Sequence, residues 1–292
     1  MFAGTFTALI TPFRDGSLDH EAFKALIDRQ VAAGITGIVP VGTTGESPTL
    51  NSDEHLEVIR AAVEFADKRT LVVAGSGANS TSEAIHLTQA AEKAGADASL
   101  QVCPYYNKPS QEGLYQHYKT VAASTGLPIM LYSVPGRSVI EIGIETVARL
   151  ANDCENIIAN KEAGGSVDRV NQLVQAVPED FQILSGDDPL TLPFMSCGAV
   201  GLVSVASNLI PDIMVSLVNR CLEGEYAEAL ELQMRYYPLL SGLMGLDTNP
   251  VPIKSAVALQ GHCTDEIRLP LINLTDEKTE ALRSLLKTYA LL

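Results

Sequence analysis

The chain has 292 residues, of which 46% are apolar and 19% charged, with a net charge of −15. This is a globular balance, long enough to bury a large core and unlike a disordered chain. The acidic surplus, without any Lys/Arg-rich run, argues against nucleic-acid binding, and no apolar stretch reaches the ~18 residues of a membrane span.

The N-terminal stretch MFAGTFTALITPF lacks the basic start and long apolar centre of a signal peptide. Its threonines, glycine and Pro12 instead predict a first strand over residues 5–11. Seven more apolar, β-branched runs follow, at 37–41, 70–74, 98–102, 128–132, 156–160, 182–185 and 200–204. The intervening segments 21–33, 52–66 and 81–93 carry apolar residues three and four apart, the spacing of an amphipathic helix. Ser52, with Asp53 and Glu54 behind it, reads as a helix N-cap. Gly34, Gly95 and Gly198 read as C-terminal stops, because glycine tolerates the left-handed conformation found there.

Strands alternating with helices imply a parallel sheet buried on both faces, and eight such units predict an α/β protein with a (β/α)8 TIM barrel over residues 1–222. Residues 223–292 show helical periodicity and no strand, predicting a C-terminal helical extension. An open doubly wound sheet is the competing architecture. The stretch Gly75-Ser76-Gly77-Ala78-Asn79 lacks the third glycine and the downstream acid of a dinucleotide loop. Five widely spaced cysteines without C-x-x-C pairing predict buried thiols in a reducing, cytoplasmic setting. The histidines are scattered, with no metal-ligand pair among them.

In such a barrel the chemistry sits at the C-terminal ends of the strands. Lys161 ends the sixth predicted strand and Tyr132 the fifth; Gly42-Thr43-Thr44-Gly45-Glu46 follows the second and Pro104-Tyr105-Tyr106-Asn107 the fourth. Lysine is rarely buried, and an amine of that type in water is neutral to only about 0.04% at pH 7. A dry pocket favours the neutral amine, which can attack a ketone or aldehyde carbon and form a Schiff base. Nearby tyrosine and threonine hydroxyls can pass the protons, and a Gly-Thr-Thr-Gly turn offers N–H and O–H donors to a small carboxylate. Singly, each feature also fits a solvated strand end, a tight turn, loop packing or a surface ion pair. Acidic residues such as Asp187 and Asp188 commonly open a helix. Together on one rim, they describe a lysine aldolase acting on a 2-keto acid.

The motifs Gly42-Thr43-Thr44-Gly45-Glu46, Pro104-Tyr105-Tyr106-Asn107-Lys108-Pro109, Tyr132-Ser133-Val134-Pro135-Gly136-Arg137, Lys161-Glu162 and Ser185-Gly186-Asp187-Asp188 occur in that order. The chain thereby resembles the dihydrodipicolinate synthases, among the pyruvate-dependent class I aldolases, over essentially its whole length. The resemblance implies a lyase of lysine and diaminopimelate biosynthesis, condensing pyruvate with L-aspartate 4-semialdehyde. It implies Lys161 as the Schiff-base nucleophile, with Tyr132, Thr43 and Tyr106 as a proton relay. Tyr106 would enter a neighbouring subunit's site. Thr43 and Thr44 would hold the pyruvate carboxylate, Arg137 the carboxylate of the semialdehyde, and the backbones of Gly186 and Val203 would line the pyruvate pocket. No metal or organic cofactor is implied, and the assembly would be a homo-oligomer, a tetramer or a dimer. Ser47, His55, Asn79, Glu83 and Tyr105 match a lysine effector site. Pro48 and Ser52 depart from the lysine-sensitive bacterial pattern, and Ser133 replaces a common asparagine. Asn160 replaces a common aliphatic residue; strand alternation turns it away from Lys161, where it needs a hydrogen-bond partner. The alternatives are a sugar-acid aldolase with the same lysine, such as N-acetylneuraminate lyase, and a non-catalytic barrel that senses a small acid.

Overall fold

The computed structural model describes residues 1–292. Eight parallel strands close into a barrel: β1 (Gly4–Ala8), β2 (Gly37–Val39), β3 (Leu71–Gly75), β4 (Ala98–Val102), β5 (Ile129–Ser133), β6 (Ile157–Glu162), β7 (Gln182–Ser185) and β8 (Gly201–Ser204). Each pairs with its sequence neighbour, and β1 closes the ring against β8 with Gly4 opposite Gly201. Closure rules out the doubly wound sheet. Around the barrel run α1 (His20–Ala32), α2 (Ser52–Ala66), α3 (Thr81–Ala94), α4 (Gln111–Ala122), a single turn α5 (Pro135–Ser138), α6 (Ile144–Asp153), α7 (Val167–Ala176), α8 (Thr191–Ser196) and α9 (Pro211–Leu222).

Strand alternation sorts the core into two layers. On β5, Ile129 and Leu131 point outward into the large apolar shell between strands and helices. Met130 and Tyr132 point inward, where they meet Phe6, Ala8, Val39, Leu100, Ala159, Leu184 and Val203. Phe2 plugs the N-terminal end, edge-on to Phe6 at 5.8 Å. The floor is therefore dry, and only the C-terminal mouth remains for chemistry.

The structure changes several of the sequence expectations. β6 runs to Glu162, so Lys161 lies within the strand, paired with Tyr132 across the ladder. β2 stops at Val39 because Val41 takes a left-handed φ of +50°. The N-cap of α2 is Asn51, which accepts from the N–H groups of Asp53 and Glu54 while Glu54 accepts from Asn51 N; this reciprocal capping box leaves Ser52 inside the helix. A small hairpin, Phe13–Arg14 with Ser17–Leu18, was too short to show as a periodic run. Cys103, Cys154 and Cys221 are buried, but Cys197 and Cys263 are only partly so; Cys197 is the C-cap of α8, before Gly198 turns the chain. Gly34, Gly95 and Gly198 all adopt positive φ, as helix stops require.

Beyond the barrel, α10 (Tyr226–Gly245) packs along α9, and α11 (Val251–Leu259) lies against α12 (Asp276–Thr288). Tyr236 stacks on Tyr289 at 5.4 Å, and Leu282 and Leu286 of α12 are fully buried. No helix is long and apolar enough to cross a membrane.

Candidate active site

The mouth of the barrel holds a cavity of about 520 Å³ lined by Lys161, Tyr132, Thr43, Thr44, Arg137 and Gly186, among others. A second hollow of about 250 Å³ adjoins it and shares Thr43, Tyr132 and Arg137. Six of the residues singled out in the sequence thus converge from the ends of four strands, β2, β5, β6 and β7.

Lys161 is only 6% exposed, and its Nζ lies 4.1 Å from the centroid of the Tyr132 ring. Two lysines are deeply buried, and they differ in company. Lys254 forms an ion pair with Glu46 at 2.6 Å, while Lys161 has no carboxylate partner. Gly186 gives the nucleophile its room: a Cβ there would stand 2.9 Å from Lys161 Cε and 2.8 Å from Ala163 Cβ.

Behind the strand, Asn160 and Glu162 face outward, as alternation requires. Glu162 is fully buried and accepts from Arg169 Nε at 2.9 Å, from Gly164 N at 2.9 Å and from Asn160 Nδ2 at 3.3 Å. Burial raises the Glu162 carboxyl against the opposing pull of Arg169. Arg169 also donates to Ile142 O, tying β6 to the loop that follows Arg137. The Asn160 carbonyl oxygen has no partner, so the partner expected for this residue is supplied to only half of its amide.

The Gly42–Glu46 turn is bracketed by two left-handed residues, Val41 at φ +50° and Glu46 at +57°. For β-branched Val41 that conformation is strained, at a cost of order 1–3 kcal/mol. The turn is held by contacts around it. Thr11 Oγ1 donates to Gly45 O at 2.7 Å, and both Glu46 carboxylate oxygens are occupied, by Lys254 Nζ and by Arg268 N at 3.0 Å.

Among the cavity-wall residues that carried no site assignment in the sequence, Asp187, Asp188 and Asn249 matter most. Asp187 lines the cavity with its carboxyl raised by burial. Asp188 does more than open a helix: it accepts from Ser204 Oγ, Val205 N and Ala206 N, and burial pushes it up to about 6. Asn249, from the turn between α10 and α11, donates to Thr44 Oγ1 at 3.0 Å. A turn outside the barrel repeat carries no periodic signal, so its arrival at the site was not readable.

Other expected residues fall elsewhere. The Val203 side chain joins the apolar cluster inside the barrel, and Val205 lines the cavity wall. Tyr106 is 89% exposed at φ +73°, outside its own chain's site. Ser47 and Tyr105 line the adjoining hollow, Asn79 donates to Tyr105 O, and burial, with a smaller contribution from the Glu83 charge, raises the Tyr105 phenol. His55 is buried in α2, with Nε2 hydrogen-bonded to Gly75 O at 2.8 Å and its imidazole lowered by burial. No cluster of His, Cys, Asp and Glu side chains has a metal-holding arrangement.

The model of the dihydrodipicolinate synthetase family matches residues 1–289. The chain belongs to this family. It is 50% identical to the 4-hydroxy-tetrahydrodipicolinate synthase of Persephonella marina over 293 residues, covering 100% of both chains. The solved structure of the 4-hydroxy-tetrahydrodipicolinate synthase from Methylacidiphilum fumariolicum SolV superposes with a TM-score of 0.98 at 53% identity, covering 100% of this chain and 97% of that one. A dihydrodipicolinate synthase from Acinetobacter baumannii, described as chloride-inhibited and complexed with pyruvate, matches at 40% identity and a TM-score of 0.97 over 100% of both chains. Membership of the dihydrodipicolinate synthetase family makes the chain a lyase of the Schiff-base class I aldolase type, with 4-hydroxy-tetrahydrodipicolinate synthase activity.

Proposed function

We propose that the protein condenses pyruvate with L-aspartate 4-semialdehyde, with Lys161 as nucleophile. The observation that carries this reading is the buried, unpaired Lys161 amine over Tyr132, in a cavity that also presents Thr43, Thr44 and Arg137. Lys161 attacks the keto carbon of pyruvate, water leaves, and an iminium forms. The iminium acidifies the adjacent methyl, which loses a proton to give an enamine. The enamine carbon attacks the aldehyde, whose oxygen takes up a proton. The product's own amine then displaces Lys161 and closes the ring, freeing the enzyme.

Tyr132 and Thr43 carry the protons of these steps, with Tyr106 supplied by a neighbouring chain. Thr43 and Thr44 hold the pyruvate carboxylate, and the planar Arg137 guanidinium takes the carboxylate of the semialdehyde. The backbones of Gly186 and Val203 complete the pyruvate pocket. Residues 1–222 form the catalytic barrel and residues 223–292 an extension that braces it. The protein works in the cytoplasm as a homo-oligomer, a tetramer by preference. The hollow beside Ser47 and Tyr105, with Asn79, Glu83 and His55 near it, is an L-lysine effector site; activity that stays flat under millimolar lysine would exclude that assignment.

Turnover of pyruvate with aspartate semialdehyde, compared with retro-aldol cleavage of sugar acids, tests the substrate assignment. The first reaction is expected to dominate, and Arg137→Ala to raise the KM for the semialdehyde by about tenfold or more while pyruvate binding holds. Preferential cleavage of sugar acids would overturn it.

A further inference from the structure

Asn249 reaches the catalytic mouth from the C-terminal extension, 205 positions along the chain from Thr44. It is 7% exposed and touches both halves of the site. Its Nδ2 donates to Thr44 Oγ1 at 3.0 Å, and its main-chain carbonyl accepts from Arg137 Nη2 at 3.3 Å. The turn that carries it is anchored by Lys278 Nζ on Asp247 Oδ2 at 2.6 Å.

A threonine hydroxyl has one hydrogen to donate and lone pairs to accept with. Here the amide fills an acceptor position, and the Thr44 hydrogen is committed to no protein group. The other half of the amide shows what this orientation costs: Asn249 Oδ1 is buried without a partner. Turned over, that oxygen would accept from Thr44 and use up the only hydrogen the hydroxyl has. A hydroxyl that accepts a hydrogen bond is also polarised into a better donor.

We propose that Asn249 is a positioning residue for the pyruvate carboxylate: its side-chain amide turns the Thr44 hydroxyl so that the O–H faces the substrate. The main-chain carbonyl separately steadies Arg137. The proposal rests on the reading that Thr44 binds that carboxylate. It predicts an asymmetry, because a side-chain substitution at residue 249 removes the Thr44 contact and leaves the Arg137 contact in place.

The test uses the full-length enzyme, measuring the pyruvate concentration for half-maximal borohydride-trapped adduct and the KM for each substrate. Asn249→Asp preserves size but can only accept, so it captures the Thr44 hydrogen. Its half-saturating pyruvate should rise about tenfold or more, equivalent to about 1.4 kcal/mol, with the aldehyde KM within about twofold of the parent. The uncharged Asn249→Leu should move pyruvate in the same direction, and should add nothing in a Thr44→Val background. Equal losses for both substrates would mark a merely structural role and overturn the proposal. So would unchanged pyruvate binding in both Asn249 variants while Thr44→Val alone weakens it. If Thr44→Val itself left pyruvate binding intact, the assignment of Thr44 would fall, and this inference with it.

Discussion

Two lysines within one fold show how surroundings decide what an amine does. Lys254 is 1% exposed and paired with an equally buried Glu46, next to the Phe13 ring at 4.2 Å. Removing one member of a buried pair strands the other charge, at about 3–5 kcal/mol. Lys254→Ala is therefore expected to lower the thermal midpoint sharply and to loosen the Gly42–Glu46 turn that Glu46 terminates. Lys161→Ala strands no charge. It should keep the thermal midpoint near that of the parent and lose turnover by about a thousandfold or more. Thermal unfolding with turnover, measured side by side, checks both; a Lys161 variant that unfolds as readily as the Lys254 variant would contradict this division. Lys161 was legible because a lysine closing an apolar run is conspicuous. Lys254 was not, since its partner lies 208 positions away and no local pattern joins them.

At the scale of elements, strand alternation placed Tyr132, Lys161 and Asn160 on their correct faces, because a period of two leaves no freedom once one face is buried. Ends were less legible. Val41 and Glu46 adopt left-handed backbone only because tertiary contacts hold the turn, and neighbouring residues do not encode that. Two buried groups, one inside α4 and one in the turn after β7, give stability a pH dependence of opposite sign. Burial pushes the His117 imidazole of α4 down to about 4, with Nδ1 hydrogen-bonded to Thr81 Oγ1 at 2.9 Å. Unfolded, it binds a proton near the ordinary 6.5. Its contribution is thus whole above that pH and is lost as the pH falls toward 4. Asp188 is pushed up to about 6 from 3.8, so it holds a proton when folded that it releases when unfolded. Its contribution is present below 3.8 and is lost as the pH rises through about 6. Denaturant unfolding across this window should show a shallower acid loss in His117→Gln and a steeper one in Asp188→Asn. Identical slopes in parent and variants would refute both assignments.

At the scale of the molecule, the barrel was legible as eight repeats of one pattern, and the extension as helix without a strand. What the extension does was not legible. Its Asn249, Lys254 and Arg268 all grip the Gly42–Glu46 turn, so residues far along the chain brace the catalytic mouth. Tyr106, 89% exposed, and the apolar stripe of Leu230, Met234 and Tyr237 on α10 suit a chain that works with copies of itself. If Tyr106 serves a neighbour, mixing Tyr106→Phe chains with Lys161→Ala chains should restore part of the activity that each lacks alone; no recovery after subunit exchange would refute sharing. The most direct test of the central claim is mass analysis after incubation with pyruvate and borohydride. The account predicts one reduced pyruvate per chain, located on Lys161 and absent from Lys161→Ala. An unchanged mass, or an adduct on another lysine, would contradict it.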